Sequence, residues 1–137
     1  MKYRYAAIII CAAIVSAACK KINPHLVGTC SEPFVLTSEH IYMSPADDSV
    51  EIGINKDYWW ISNVNWNGTL LKVYDTLGAR AGMEFVYEHE YFTIVRKESN
   101  MLKIKCNRNA GNTENILFVQ LQAGNCFGGF KLTQAAP

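Results

Sequence analysis

The chain of 137 residues carries 13 Lys and Arg against 12 Asp and Glu, and half of its residues are hydrophobic. That near balance of charge leaves no basic footprint of the kind that holds nucleic acid. Behind the N-terminal segment about 100 residues remain, enough for one core and too few for two, and no internal repeat or low-complexity tract divides them.

The chain opens on MKYRYAAIIICAAIVSAA, residues 1–18, in which Lys2 and Arg4 precede an uncharged apolar run from Ala6 to Ala18. The run is shorter than the ~20 residues that cross a bilayer. A basic start, a short apolar core and a small-residue end are the marks of a secretory signal peptide. Ser16, Ala17 and Ala18 lead directly into Cys19. This stretch resembles a bacterial lipobox of the kind found in lipoproteins of the Bacteroidetes, with Ser16 where leucine is usual. The resemblance implies that Cys19 receives a diacylglycerol, becomes the first residue of the mature protein and binds it to a membrane. Cys11, which lacks small residues before it, is the weaker lipid site. Without Lys2 and Arg4, 11 basic residues remain against 12 acidic ones, a formal charge of −1. CKKINPH, residues 19–25, lacks the acidic residues that mark outer-face export in some Bacteroidetes lipoproteins. That resemblance implies an outer-membrane protein facing the periplasm, with the cell surface as the alternative.

Residues 19–33 mix polar residues with Pro24, Gly28 and Pro33 and read as a tether. From residue 34 to 137 the pattern is strand after strand. FVLTSEHIYM and SVEIGI are β-rich and flank the turn-forming SPADD, and Val50, Ile52 and Ile54 alternate with polar or small residues. Asn67-Gly68 sits between two apolar-rich runs and predicts a type I′ hairpin, since both residues tolerate positive φ. GMEFVYEHEYFTIVRKE predicts two strands with a bend near His89 and Glu90. MLKIKC places Leu102, Ile104 and Cys106 on one face, NRNAGNT connects, ENILFVQLQ is a strand, AGNCFGG a turn, and FKLTQ the last strand. No amphipathic helix with caps is present. Seven or eight short strands predict an all-β, immunoglobulin-like β-sandwich, with a small barrel as the alternative.

Residues 102–134, an apolar strand, an Asn-containing loop, a second strand, a Gly-rich turn and a strand closing in LTQ, together with Trp59 and Trp60 upstream, resemble the BACON-like domains of the Bacteroidetes. Asn115 stands where that family often has arginine, and the segment from Trp66 to Phe85 lengthens the usual spacing. The resemblance, spanning roughly residues 36–134, implies an immunoglobulin-type sandwich that binds carbohydrate or serves as a spacer beside other domains.

Tyr58, Trp59, Trp60 and Trp66 are the candidate binding residues, because flat aromatic rings stack on the apolar C–H faces of sugars. Neighbours in a strand point to opposite faces, so of Trp59 and Trp60 one is core and the other outward. Glu88, His89 and Glu90 alternate faces in the same way and do not read as a metal site. In an exported chain Cys30, Cys106 and Cys126 allow one disulfide. Cys106 fits the apolar face of its strand, which favours Cys30 with Cys126 and leaves Cys106 with Cys126 as the alternative. No nucleophile elbow, phosphate loop, His-Glu-x-x-His or dinucleotide fingerprint occurs. The expectation is a non-catalytic envelope lipoprotein without cofactor or metal. It would bind a glycan through Trp59, Trp60 and Trp66, or another envelope protein. The alternative is a spacer or an edge-strand docking module, with GGFKLTQ as the edge.

Overall fold

A computed structural model describes residues 29–73 and 81–137. Residues 1–28, with Cys19 and the expected signal peptide, lie outside the described residues. Within them the chain forms nine strands: β1 His40–Met43, β2 Asp48–Gly53, β3 Trp60–Trp66, β4 Thr69–Leu71, β5 Phe85–Glu88, β6 Phe92–Glu98, β7 Met101–Cys106, β8 Asn115–Ala123 and β9 Cys126–Gln134. The count exceeds the expected seven or eight by one, and the predicted Asn67-Gly68 turn joins β3 to the short β4. Both turn residues have positive φ, 49° and 85°, and the Asn65 side chain accepts the Gly68 N–H at 2.9 Å.

The strands build two sheets, one in the order β1-β9-β8-β3-β4 and the other β2-β7-β6-β5. β1 runs parallel to β9, and every other pairing is antiparallel. The two sheets face each other across one core, an immunoglobulin-like β-sandwich. Period-2 alternation supplies that core. Ile52 from β2, Leu102, Ile104 and Cys106 from β7, Ile94 from β6, and Leu117, Val119 and Leu121 from β8 are all fully buried. Each such aliphatic side chain contributes roughly 1.5–3 kcal/mol through burial.

Two departures from the sequence reading concern the C-terminal hairpin. β9 begins at Cys126, so Phe127, Gly128 and Gly129 belong to the strand and the turn contracts to Gly124 and Asn125. The glycines mark close approach within the ladder rather than a bend. A Cβ on Gly128 would lie 2.5 Å from Phe34, and one on Gly129 would lie 2.4 Å from the Val119 carbonyl oxygen. β9 also lies between β1 and β8, and β1 pairs with Lys131–Gln134, so the KLTQ part of GGFKLTQ is not a sheet edge.

The segment just before β1 is held to the sandwich. Cys30 is bonded to Cys126, across 96 positions of sequence. The Val35 N–H donates to Asn55 Oδ1, and Asn55 Nδ2 donates to the Pro33 carbonyl. Strand directions place the disulfide, the β2–β3 loop and the β6–β7 turn at one end of the sandwich. The Asn67-Gly68 turn, the β5–β6 turn and the β7–β8 loop lie at the other.

Candidate functional site: an aromatic and amide sheet face

At the disulfide end, Trp59 is fully buried. Its indole N–H donates to the Ser99 carbonyl at 2.8 Å, and the Arg96 guanidinium lies 3.9 Å over its ring. Arg96 follows Phe92 and Ile94 on the inward face of β6 and is itself buried. It donates to the carbonyls of Trp59 (2.8 Å), Asp57 (2.7 Å) and Ser99 (2.6 Å). Burial lowers its pKa, and the charge of Asp57 opposes that shift. Trp59 therefore closes the core and offers no ring to a ligand. It is removed from the candidate platforms.

Trp60 points the other way. Ile61 pairs with Leu121 on the buried side, so Trp60 stands on the outer face of the five-stranded sheet, partly buried. The register sets it beside Gln122, which in turn pairs with Phe127, 57% exposed. Two residues along β8, Gln120 pairs with Asn63 and Gly129. Two further on, Phe118, 43% exposed, lies between Asn65 and Lys131, with Leu70 beyond Asn65. A bulge between Ile61 and Asn63 turns two successive side chains toward Gln120. Ser62 Oγ and Asn63 Nδ2 both approach its Oε1, at 3.4 and 3.5 Å. Gly129 leaves a gap in the row of side chains between Phe127 and Lys131.

Aromatic rings thus flank a strip of amides that carries no charge between Trp60 and Phe118. The outer face of the four-stranded sheet is of the opposite character. It presents Glu51, Glu88, Lys97, Lys103 and Lys105, with Lys103 and Glu51 3.5 Å apart. Charged side chains mark the four-stranded face, beside exposed Val86, whereas aromatic rings and amides mark the five-stranded one.

Chain comparisons agree with this architecture. The structure is similar to an NMR structure of a protein from Bacteroides thetaiotaomicron, with a TM-score of 0.62 and 21% identity over 80% of this chain and 92% of that one. That likeness shows the fold. Matches to titin domain M7 (TM-score 0.49, 5% identity, 79% of this chain and 97% of that one) and to a Bacteroides ovatus GH5 xyloglucanase in complex with a XXXG heptasaccharide (0.47, 8%, 76% and 19%) are looser. No protein-family profile matches the sequence, and no curated protein does.

Trp66, the third sequence candidate, is buried at the opposite end, where Tyr91 stacks on it with ring centroids 5.5 Å apart and planes 10° from parallel. Tyr58 is exposed outside the strands, next to Gly82. His89 stacks on Phe92 at 4.7 Å; Glu88 and Glu90 do not converge with it, and no group of three His, Cys, Asp or Glu among the described residues could hold a metal. Cys106 is a buried free thiol whose pKa burial pushes up to about 11, with Asp48 adding to the shift. Sequence reasoning missed Phe118, Phe127 and Gln120. Strand alternation outward from Leu117, Val119 and Leu121 contains the signal for Phe118 and Gln120, whereas the reading of AGNCFGG as a turn hides Phe127.

Proposed function

We propose that the outer face of the five-stranded sheet binds a neutral glycan, with Trp60, Phe118 and Phe127 as stacking surfaces and Gln120, Gln122, Asn63 and Asn65 as hydroxyl partners. The observation that carries the reading is the pairing of exposed Phe118 and Phe127 and partly buried Trp60 with uncharged amides on one sheet face. Rings with few rotatable bonds lose little freedom on binding, and amides both donate and accept, as sugar hydroxyls do. The test is isothermal titration of the full chain in detergent with soluble neutral polysaccharides (a mixed-linkage glucan, a xylan and a mannan). Trp60→Ala is expected to weaken binding at least ~10-fold, about 1.4 kcal/mol, with unfolding unchanged. Binding that survives both Trp60→Ala and Phe127→Ala would overturn the assignment, as would absence of binding to every polysaccharide in the panel.

On this reading the protein is a BACON-like lipoprotein of the bacterial envelope, non-catalytic and held to the membrane through Cys19, with its domain facing the periplasm. The support is the run of small residues before Cys19, the basic CKKINPH after it and the likeness of the closing strands to that family. Cys30 stands eleven positions beyond Cys19, a reach of at most ~40 Å when extended. Membrane fractionation tests the anchor: Cys19→Ser should release the protein from the membrane. Protease shaving of intact cells tests the facing: digestion would place the domain outside and reverse the periplasmic assignment.

A further inference from the structure

The end of the sandwich opposite the disulfide holds a cleft of about 370 Å³, lined by Trp66, Asn67, Tyr91, Arg108, Asn115 and the Asn109–Gly111 turn. Its volume is at the small end of the ~300–1,000 Å³ typical of ligand sites. Most of the lining is locked in place. Asn67 Nδ2 donates to Asn115 Oδ1 at 3.0 Å, Asn67 Oδ1 accepts the Ile116 N–H at 2.7 Å, and Asn115 Nδ2 reaches Gln134 Oε1 at 3.4 Å. Asn109, buried, donates to the carbonyls of Thr113 and Ala135 and accepts the Gly111 N–H. The Trp66 and Tyr91 rings stack in parallel, and Tyr91 remains 44% exposed.

Arg108 is the exception to this locked lining. Its backbone N–H donates to Asp47 Oδ1 at 2.9 Å. Its guanidinium has no carboxylate within 4 Å among the described residues, whose ion pairs are Lys56–Glu32 and Lys103–Glu51. The lining of this cleft contains no Asp or Glu, although Arg108 also borders a neighbouring cleft with Asp47 and Pro137. A rigid cleft with an exposed aromatic face, fixed amides and one unspent guanidinium matches a ring with an apolar face and an anionic substituent. Arginine's planar fork binds a carboxylate through two parallel hydrogen bonds.

We propose that this cleft is a second binding site, distinct from the neutral sheet face, and that it takes a pyranose bearing a carboxylate. Tyr91 stacks on the ring, and Arg108 holds the acid group.

The test compares sugars that differ only in the acid group, by titrating the full chain in detergent with methyl galacturonide and methyl galactoside, methyl glucuronide and methyl glucoside. At least one uronide is expected to bind ten-fold or more tightly than its neutral counterpart. Arg108→Gln should abolish that preference, and Tyr91→Ala should weaken the uronide at least ten-fold. Neither change should alter neutral-polysaccharide binding at Trp60, which separates failure here from failure of the sheet-face reading. Equal affinity for acid and neutral sugars, insensitivity to Arg108→Gln, or no binding of either uronide would overturn the proposal. Inorganic phosphate competing with the same Arg108 dependence, in the absence of uronide binding, would reassign the cleft to a simple anion.

Discussion

Replacing Arg96 tests the account of the disulfide end most directly. The guanidinium makes three hydrogen bonds to carbonyls and lies over Trp59. Hydrogen bonds to a charged group contribute ~1.5–3 kcal/mol each, and a desolvated cation over an aromatic ring adds about 2 kcal/mol. Against this stands the cost of burying a cation whose Nε has no partner among the described residues. The carbonyls themselves are mostly provided for without Arg96. The Trp59 oxygen also accepts the Gly82 N–H at 3.2 Å, and the Ser99 oxygen accepts the Trp59 indole. Arg96→Ala empties a large buried volume, and its expected cost is about 3–5 kcal/mol, the range for deleting big core side chains. Arg96→Met refills most of that volume and leaves two carbonyls satisfied, so about 1–2 kcal/mol is expected, at the mild end of core substitutions. For a domain of this size ~1 kcal/mol moves Tm by about 4–8 °C, which separates the two variants in a calorimeter. Equal losses from Met and Ala would refute the reasoning, because they would mean that the lost bonds decide the outcome and volume does not.

The remaining predictions use independent features. Replacing both Cys30 and Cys126 by Ser should cost about 2–5 kcal/mol in urea unfolding, and reduction of the native chain should cost the same; a loss below about 1 kcal/mol would show that the link is energetically idle. The Cys106 thiol, raised to about 11 in the fold from 9.0, should make stability fall as pH rises from about 9 to 11, because the unfolded thiol ionises first. The slope is about 1.4 kcal/mol per pH unit and should shrink in Cys106→Ala. Gly129→Ala should cost about 1–3 kcal/mol through overpacking, since its Cβ meets backbone that cannot yield, and hydrogen exchange should show the β8–β9 ladder opening.

Alternation made much of the fold legible. MLKIKC and SVEIGI announce β7 and β2 because each buries one face and wets the other. Asn67-Gly68 announces its turn because few other pairs accept positive φ twice in succession. Alternation also shows that Trp59 and Trp60 diverge, yet it cannot say which is buried. That depends on Arg96, a residue that reads as solvent-facing in the charged run RKE. The Gly128-Gly129 pair misleads because glycine signals both bends and close approach, and only the packing of Phe34 and the Val119 carbonyl against it distinguishes them. Tyr91 and Arg108 escape a sequence reading for a further reason. Each lies in a turn that looks solvated, and their juxtaposition depends on how the β5–β6 and β7–β8 connections fold over one end of the sandwich.

The core clamp and the binding face are joined through adjacent residues. Trp59 is fixed from two sides, by its indole bond to Ser99 and by Arg96 over its ring. The next residue, Trp60, inherits its outward direction from that fixation, since neighbouring strand residues oppose each other. Loosening the clamp should therefore disturb the sheet face without touching it. Arg96→Met, under conditions where it remains folded, is expected to weaken neutral-polysaccharide binding several-fold, whereas Arg108→Gln at the opposite end leaves it unchanged. Titration of the two variants side by side decides the point. If Arg96→Met binds as the native chain does, Trp60 is held by its neighbours Gln122 and Phe127 alone, and the core plays no part in positioning the ring.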